Sequence, residues 1–85
     1  MSTADLIIEV CHEVADMLLA KNEAYGDSAI APVRIFSKAD PLEQIRVRID
    51  DKLSRIARGK AAGEDVELDL IGYLILMRVA RKAGA

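Results

Sequence analysis

Tryptophan is absent from these 85 residues, and aromatic side chains amount to 4%, from two Tyr and one Phe. A core must therefore be built from Ala, Leu, Ile and Val. Two prolines and five glycines are too few for the many turns of a small sheet, whereas thirteen alanines favour helices. The single cysteine, Cys11, excludes an internal disulfide and a zinc site made of cysteines alone. Neither sign of charge prevails: the formal net charge is −2, which argues against non-specific nucleic-acid binding. With 31% of residues charged, a membrane partner is not expected. Asp5, Glu9 and Glu13 interrupt the apolar residues near the start, so a signal peptide is not expected either. A Walker A loop and a G-x-G-x-x-G motif are also missing. What is present, a 52% hydrophobic share in a short chain, predicts one domain with a modest core in a reducing, cytoplasmic compartment.

The apolar residues that are present recur with helical period. Ile7, Val10, Val14 and Met17 repeat at spacings of 3, 4 and 3, widened by Leu6, Cys11 and Leu18, and predict a helix over about 4–22. Ser2 or Thr3 is its cap, and Asp5 lies in its first turn. Asp40-Pro41-Leu42-Glu43 reads as an N-cap acid, a proline at N1 and a capping-box glutamate. Leu42, Ile45, Ile49, Leu53 and Ile56 follow on one face and Gly59 stops the helix, giving 41–58. A third helix over about 64–82 opens with Glu64, Asp65 and Glu67 and closes with Arg78, Arg81 and Lys82, as its macrodipole favours. Between Leu68 and Ala80 it is apolar nearly all round, as in a helix that is central in its fold or shared with another subunit. Gly72 in its middle points to close packing there.

The short connection 60–63 predicts an antiparallel hairpin of the last two helices. The long loop 23–39 carries Tyr25, Ile30, Val33, Ile35 and Phe36, so it is expected to pack down and form part of a site. The expected fold class is all-α: a helix, a long packed loop and a helical hairpin. Three short helices bury little apolar surface alone, so a homo-oligomeric helical bundle is expected.

Asp69 is the position richest in chemistry. A carboxylate among Leu68, Leu70 and Ile71 needs a cation, a metal or a proton. An ion pair to Lys52 or Arg55 across the hairpin is one reading, and a ligand site is another. Arg48, Asp51, Lys52 and Arg55 share a polar face of the second helix, and Lys21, Arg34 and Lys38 are expected to converge near them. Such a local basic pocket on an acidic chain suits a small phosphorylated ligand better than a polymer. Asp5, Glu9, Glu13 and Asp16 share a face of the first helix. Two readings stay open for them, a solvated acidic stripe and part of a Mg²⁺ site. Nothing orients the single His12 for a triad, and Cys11 reads as a small core residue.

Three ordered segments resemble a known pattern: Lys21-Asn22-Glu23-Ala24-Tyr25-Gly26-Asp27-Ser28, Ile49-Asp50-Asp51-Lys52-Leu53-Ser54-Arg55-Ile56, and Glu64-Asp65 followed by Asp69-Leu70-Ile71-Gly72-Tyr73. Over roughly residues 15–80 the chain is similar to the phage and bacterial nucleotide modification associated domain family. That family is related to the MazG-like all-α nucleotide pyrophosphohydrolases. The resemblance implies a phage-type nucleotide-binding protein of the host cytoplasm, with its pocket between helices and subunits. Lys21, Tyr25, Asp51, Lys52, Arg55, Asp65 and Asp69 are the matching positions. The MazG-like metal pairs are E-x-x-E and E-x-x-D. Here Glu13-x-x-Asp16 stands for the first, while Asp65 and Asp69 lie at i,i+4 with Val66 in the glutamate position.

Two functional expectations follow, with a ligand-free helical interaction module as a third. In the first, carboxylates Glu13, Asp16, Asp65 and Asp69 hold Mg²⁺ for cleavage of a nucleotide to a monophosphate and pyrophosphate. Asp65, Asp69 and Lys52 are then the catalytic set. In the second, the protein sequesters a signalling nucleotide of host defence, a cyclic nucleotide or an ADP-ribose derivative, without cleaving it. Tyr25 or Phe36 stacks on the base, and Lys21, Arg34, Arg48, Lys52 or Arg55 holds phosphates.

Overall fold

A computed structural model describes residues 1–59 and 63–84. It consists of α1 (Thr3–Tyr25), α2 (Pro41–Arg58) and α3 (Val66–Lys82), with no strand among the described residues. The fold is all-α, as the composition predicts.

Each helix begins at a side chain that satisfies orphan backbone N–H groups. Ser2 Oγ accepts from the Asp5 N–H while the Asp5 carboxylate accepts from the Ser2 N–H, so the full capping box belongs to α1. α2 has only half of the expected box. Asp40 accepts from the Glu43 N–H at 2.8 Å, but the Glu43 side chain turns to Arg46 instead. α1 runs three residues further than the predicted end, because Gly26, in the left-handed conformation at φ +62°, is the stop. Tyr25 thus sits at the end of a helix and not in the loop. α3 starts two residues later than predicted, because Asp65 is its N-cap and accepts from the Leu68 N–H at 2.9 Å. Most of the connection 60–63 lies outside the described residues.

α3 is the central element. Lys52 of α2 meets Asp69, and Arg55 meets Glu64, so α2 and α3 run antiparallel as a packed hairpin. On its other side, α3 meets α1 over a short stretch. Leu18 and Met17 lie against Gly72 while Lys21 reaches Asp69, so α1 is antiparallel to α3 too. A β-carbon on Gly72 would stand 3.1 Å from Leu18 Cδ2 and 3.2 Å from Met17 Cε, which accounts for the glycine inside a helix. α1 and α2 do not approach each other among the described residues, and a cleft floored by α3 opens between them.

The core is small. Val14, Ile45, Val66 and Ala80 are its buried hydrophobic side chains among the described residues. Two expectations of burial fail. Leu53 and Ile56, at the far end of the α2 stripe, are about half exposed. The long loop does not pack down over its length: Ile30 and Pro32 are partly covered, but Val33, Ile35 and Phe36 are 78%, 70% and 98% exposed. Among the described residues no other element is laid over these side chains. Cys11, expected in the core, is exposed on α1.

Candidate functional site

The cleft between α1 and α2 encloses about 370 Å³. Lys21, Asn22 and Tyr25 line it from the last turns of α1, and Gln44 and Arg48 from α2. Asp69, Gly72 and Tyr73 belong to its floor on α3, and Ser28 and Ala29 of the turn after α1 close one edge. Helical spacing brings these groups together. Lys21 and Tyr25 are one turn apart on α1, Gln44 and Arg48 on α2, and Asp69 and Tyr73 on α3.

A chain of ion pairs runs from this cleft along the hairpin. Asp69 accepts from Lys21 at 3.3 Å on one oxygen and lies 3.4 Å from Lys52 on the other, which ties α3 to both of its neighbours. Lys52, with its side chain only 11% exposed, is also 3.5 Å from Glu64. Arg55 donates to both oxygens of Glu64, at 2.6 Å to Oε1, and its other terminal nitrogen lies 3.0 Å from Asp51. The hydrogen bond from Arg55 holds the Glu64 carboxyl below its ordinary value, and its own charge is reinforced by Glu64 and then Asp51. The Asp69 side chain is 21% exposed, so its two lysine partners answer the need that the sequence raises for a cation.

Of the candidate ligand positions, Lys21, Tyr25 and Arg48 line the cleft, together with Asp69. Lys52 and Arg55 do not; they stand in the hairpin, joined to acids. Arg34 and Lys38 do not converge on the cleft either. Arg34 takes a left-handed backbone conformation at φ +61°, and its carbonyl accepts from Lys38 Nζ at 3.1 Å within the loop. Phe36 is open to solvent. The four carboxylates named as metal ligands are not gathered. Asp65 caps α3, Asp69 is held by lysines, and Glu13 and Asp16 lie on the exposed surface of α1. Among the described residues no group of three or more His, Cys, Asp or Glu side chains is placed to hold one ion. Within one chain the donor set does not fit a Mg²⁺ centre.

Gln44 and Asn22 are cleft residues that sequence reasoning missed. Gln44 stands next to the buried Ile45, and its amide donates to the Ala39 carbonyl at 3.1 Å, so it fastens the end of the long loop to α2. A lone amide beside a core position is the signal that was there to use.

These observations define an all-α protein with an open, mixed-polarity cleft beside an interhelical ion-pair chain, and no helix long and apolar enough to cross a membrane among the described residues. No protein-family model, curated protein or solved structure matches this chain. The likeness to the nucleotide modification associated domain family therefore rests on the quoted residues.

Proposed function

We propose that this chain is a nucleotide-binding protein that holds a small phosphorylated ligand in the cleft and does not cleave it. The observation that carries the reading is Arg48. It lines the cleft, is exposed, and has no carboxylate partner among the described residues, whereas Lys52 and Arg55 are each joined to acids. Its planar fork suits two phosphate oxygens, and Lys21 across the cleft supplies a second positive group whose only partner there, Asp69, it shares with Lys52. Tyr25 and Tyr73 offer ring faces to a base or ribose. The cavity of about 370 Å³ falls within the roughly 300–1,000 Å³ of small-ligand pockets. Binding without cleavage is favoured over Mg²⁺-assisted pyrophosphohydrolysis because the carboxylates that would hold the metal have other work or lie apart. The nucleotide class and a phage origin are what the family resemblance implies; a location in host cytoplasm and a role in depriving host defence of its signal extend that reading.

Native mass spectrometry against nucleoside triphosphates, cyclic nucleotides and ADP-ribose derivatives, with and without Mg²⁺, tests this. The expected result is a retained, unaltered nucleotide whose affinity falls about tenfold or more in Arg48→Ala, in line with loss of a charged hydrogen bond. Arg48 is exposed, so its helical circular dichroism should be unchanged. Metal-dependent release of a monophosphate and pyrophosphate would establish the hydrolase instead. Retention of no nucleotide would leave a helical interaction module.

A further inference from the structure

The single chain exposes more surface than its mass requires. Its accessible area is 6319 Å², whereas a compact monomer of 9.3 kDa exposes about 5,000 Å². Its radius of gyration is 14.3 Å, against about 12 Å for a compact domain of 85 residues. The excess of about 1,300 Å² exceeds the roughly 800 Å² that each partner buries in a standard interface.

Part of that excess is an apolar seam on α1 and α3. Ile71, Ile75 and Val79 follow one another at helical spacing on α3 and are 37%, 38% and 42% exposed. Ile7 and Val10 lie on the face of α1 that buries Val14, yet are 59% and 50% exposed. Antiparallel register explains the exposure of Ile7. Leu18 lies at Gly72, and α3 ends ten residues on at Lys82, so α1 before about residue 8 passes beyond the end of its neighbour. The helix halves that carry these side chains differ in charge: Asp5, Glu9 and Glu13 are on the first half of α1, Arg78, Arg81 and Lys82 on the second half of α3.

We propose that a second copy of this chain covers the seam, α1 of each protomer lying across α3 of the other about a two-fold axis. The surface is complementary to itself in this arrangement: apolar α1 meets apolar α3 twice, and an acidic helix half meets a basic one each time, as an isologous interface requires. The interface is independent of what the cleft holds, since none of these seam residues lines it.

Equilibrium sedimentation at about 100 μM, well above the micromolar Kd that interfaces of this size reach, should return twice the chain mass of 9.3 kDa. Val10→Glu and Ile75→Glu, each placing a carboxylate in the seam, should return the single-chain mass. In a chain carrying Cys11→Ser and Val10→Cys, the one thiol should react with a maleimide about tenfold more slowly at that concentration than at high dilution. This last measurement decides alone if the glutamate variants unfold. A monomer at that concentration would overturn the proposal. So would a dimer that both glutamate variants leave intact, or one in which the thiol at position 10 reacts at the dilute rate, because another surface would then join the copies.

Discussion

Glu64 stands one residue before the N-cap of α3, and both of its oxygens accept from Arg55 of α2. It was legible in the sequence as an acid near a helix start, where the macrodipole favours it. Its larger role is as the link between Lys52 and Arg55 in the ion-pair chain that begins at Lys21 and ends at Asp51. That role has a pH signature. The hydrogen bond from Arg55 holds the folded-state carboxyl below its ordinary 4.5, so the pair's contribution is fully present above 4.5. It is lost as pH falls below that value through the lowered folded pKa. Glu64→Gln, which cannot ionise, should melt at a lower temperature than the parent at neutral pH, and the gap should narrow as pH falls below 4.5. Both side chains are partly solvated, so the gap should also shrink in high salt. A gap that stays constant from neutral to acid pH would assign the loss to packing and not to charge.

At the scale of the element, Gly72 sets how closely α1 approaches α3. An alanine there adds about 1 kcal/mol of helix propensity, but its β-carbon must fit 3.1 Å from Leu18 Cδ2 and 3.2 Å from Met17 Cε. Both are ends of flexible side chains, so Gly72→Ala should change the melting temperature little. Gly72→Leu has no such escape. Overpacking costs about 1–3 kcal/mol, and at about 4–8 °C per kcal/mol the helical signal should melt on the order of 10 °C earlier. A leucine variant as stable as the parent would show that α1 does not seat on Gly72.

The same scale shows what the sequence could and could not disclose. α2 matches its predicted limits of 41–58 because Asp40, Pro41 and Gly59 mark them chemically. The predicted end of α1 falls too early because its apolar stripe fades before Gly26 stops the backbone. In the loop, Val33, Ile35 and Phe36 were readable as apolar, but burial depends on a covering surface that local pattern does not contain. For the site, residue chemistry was legible and pairing was not. Asp69 called for a cation, but that Lys21 and Lys52 both supply it depends on the register of three helices. Register is also why the four carboxylates, which make a pattern in one dimension, supply no group of three to one ion among the described residues.

For the whole molecule, the deciding quantity is how little the single chain buries. Among the described residues, Val14, Ile45, Val66 and Ala80 make a thin core, while seventeen large hydrophobic side chains are exposed. The expectation of an oligomer came from α3 being apolar nearly all round, and the exposed stripe Ile71, Ile75 and Val79 is that surplus in three dimensions. If folding and pairing are coupled, stability must depend on protein concentration by mass action. A tenfold increase in chain concentration shifts a folded dimer against two unfolded chains by about 1.4 kcal/mol. With about 2.1 cal/mol/K of unfolding entropy per residue, two chains of 85 residues release about 0.36 kcal/mol/K. The melting midpoint should therefore rise about 4 °C for each tenfold increase in concentration, read by circular dichroism in cells of decreasing path length. In Ile75→Glu the slope should vanish and the midpoint should sit at or below the dilute limit of the parent. A parent midpoint that stays fixed over a hundredfold range would mean that the thin core suffices for each chain alone.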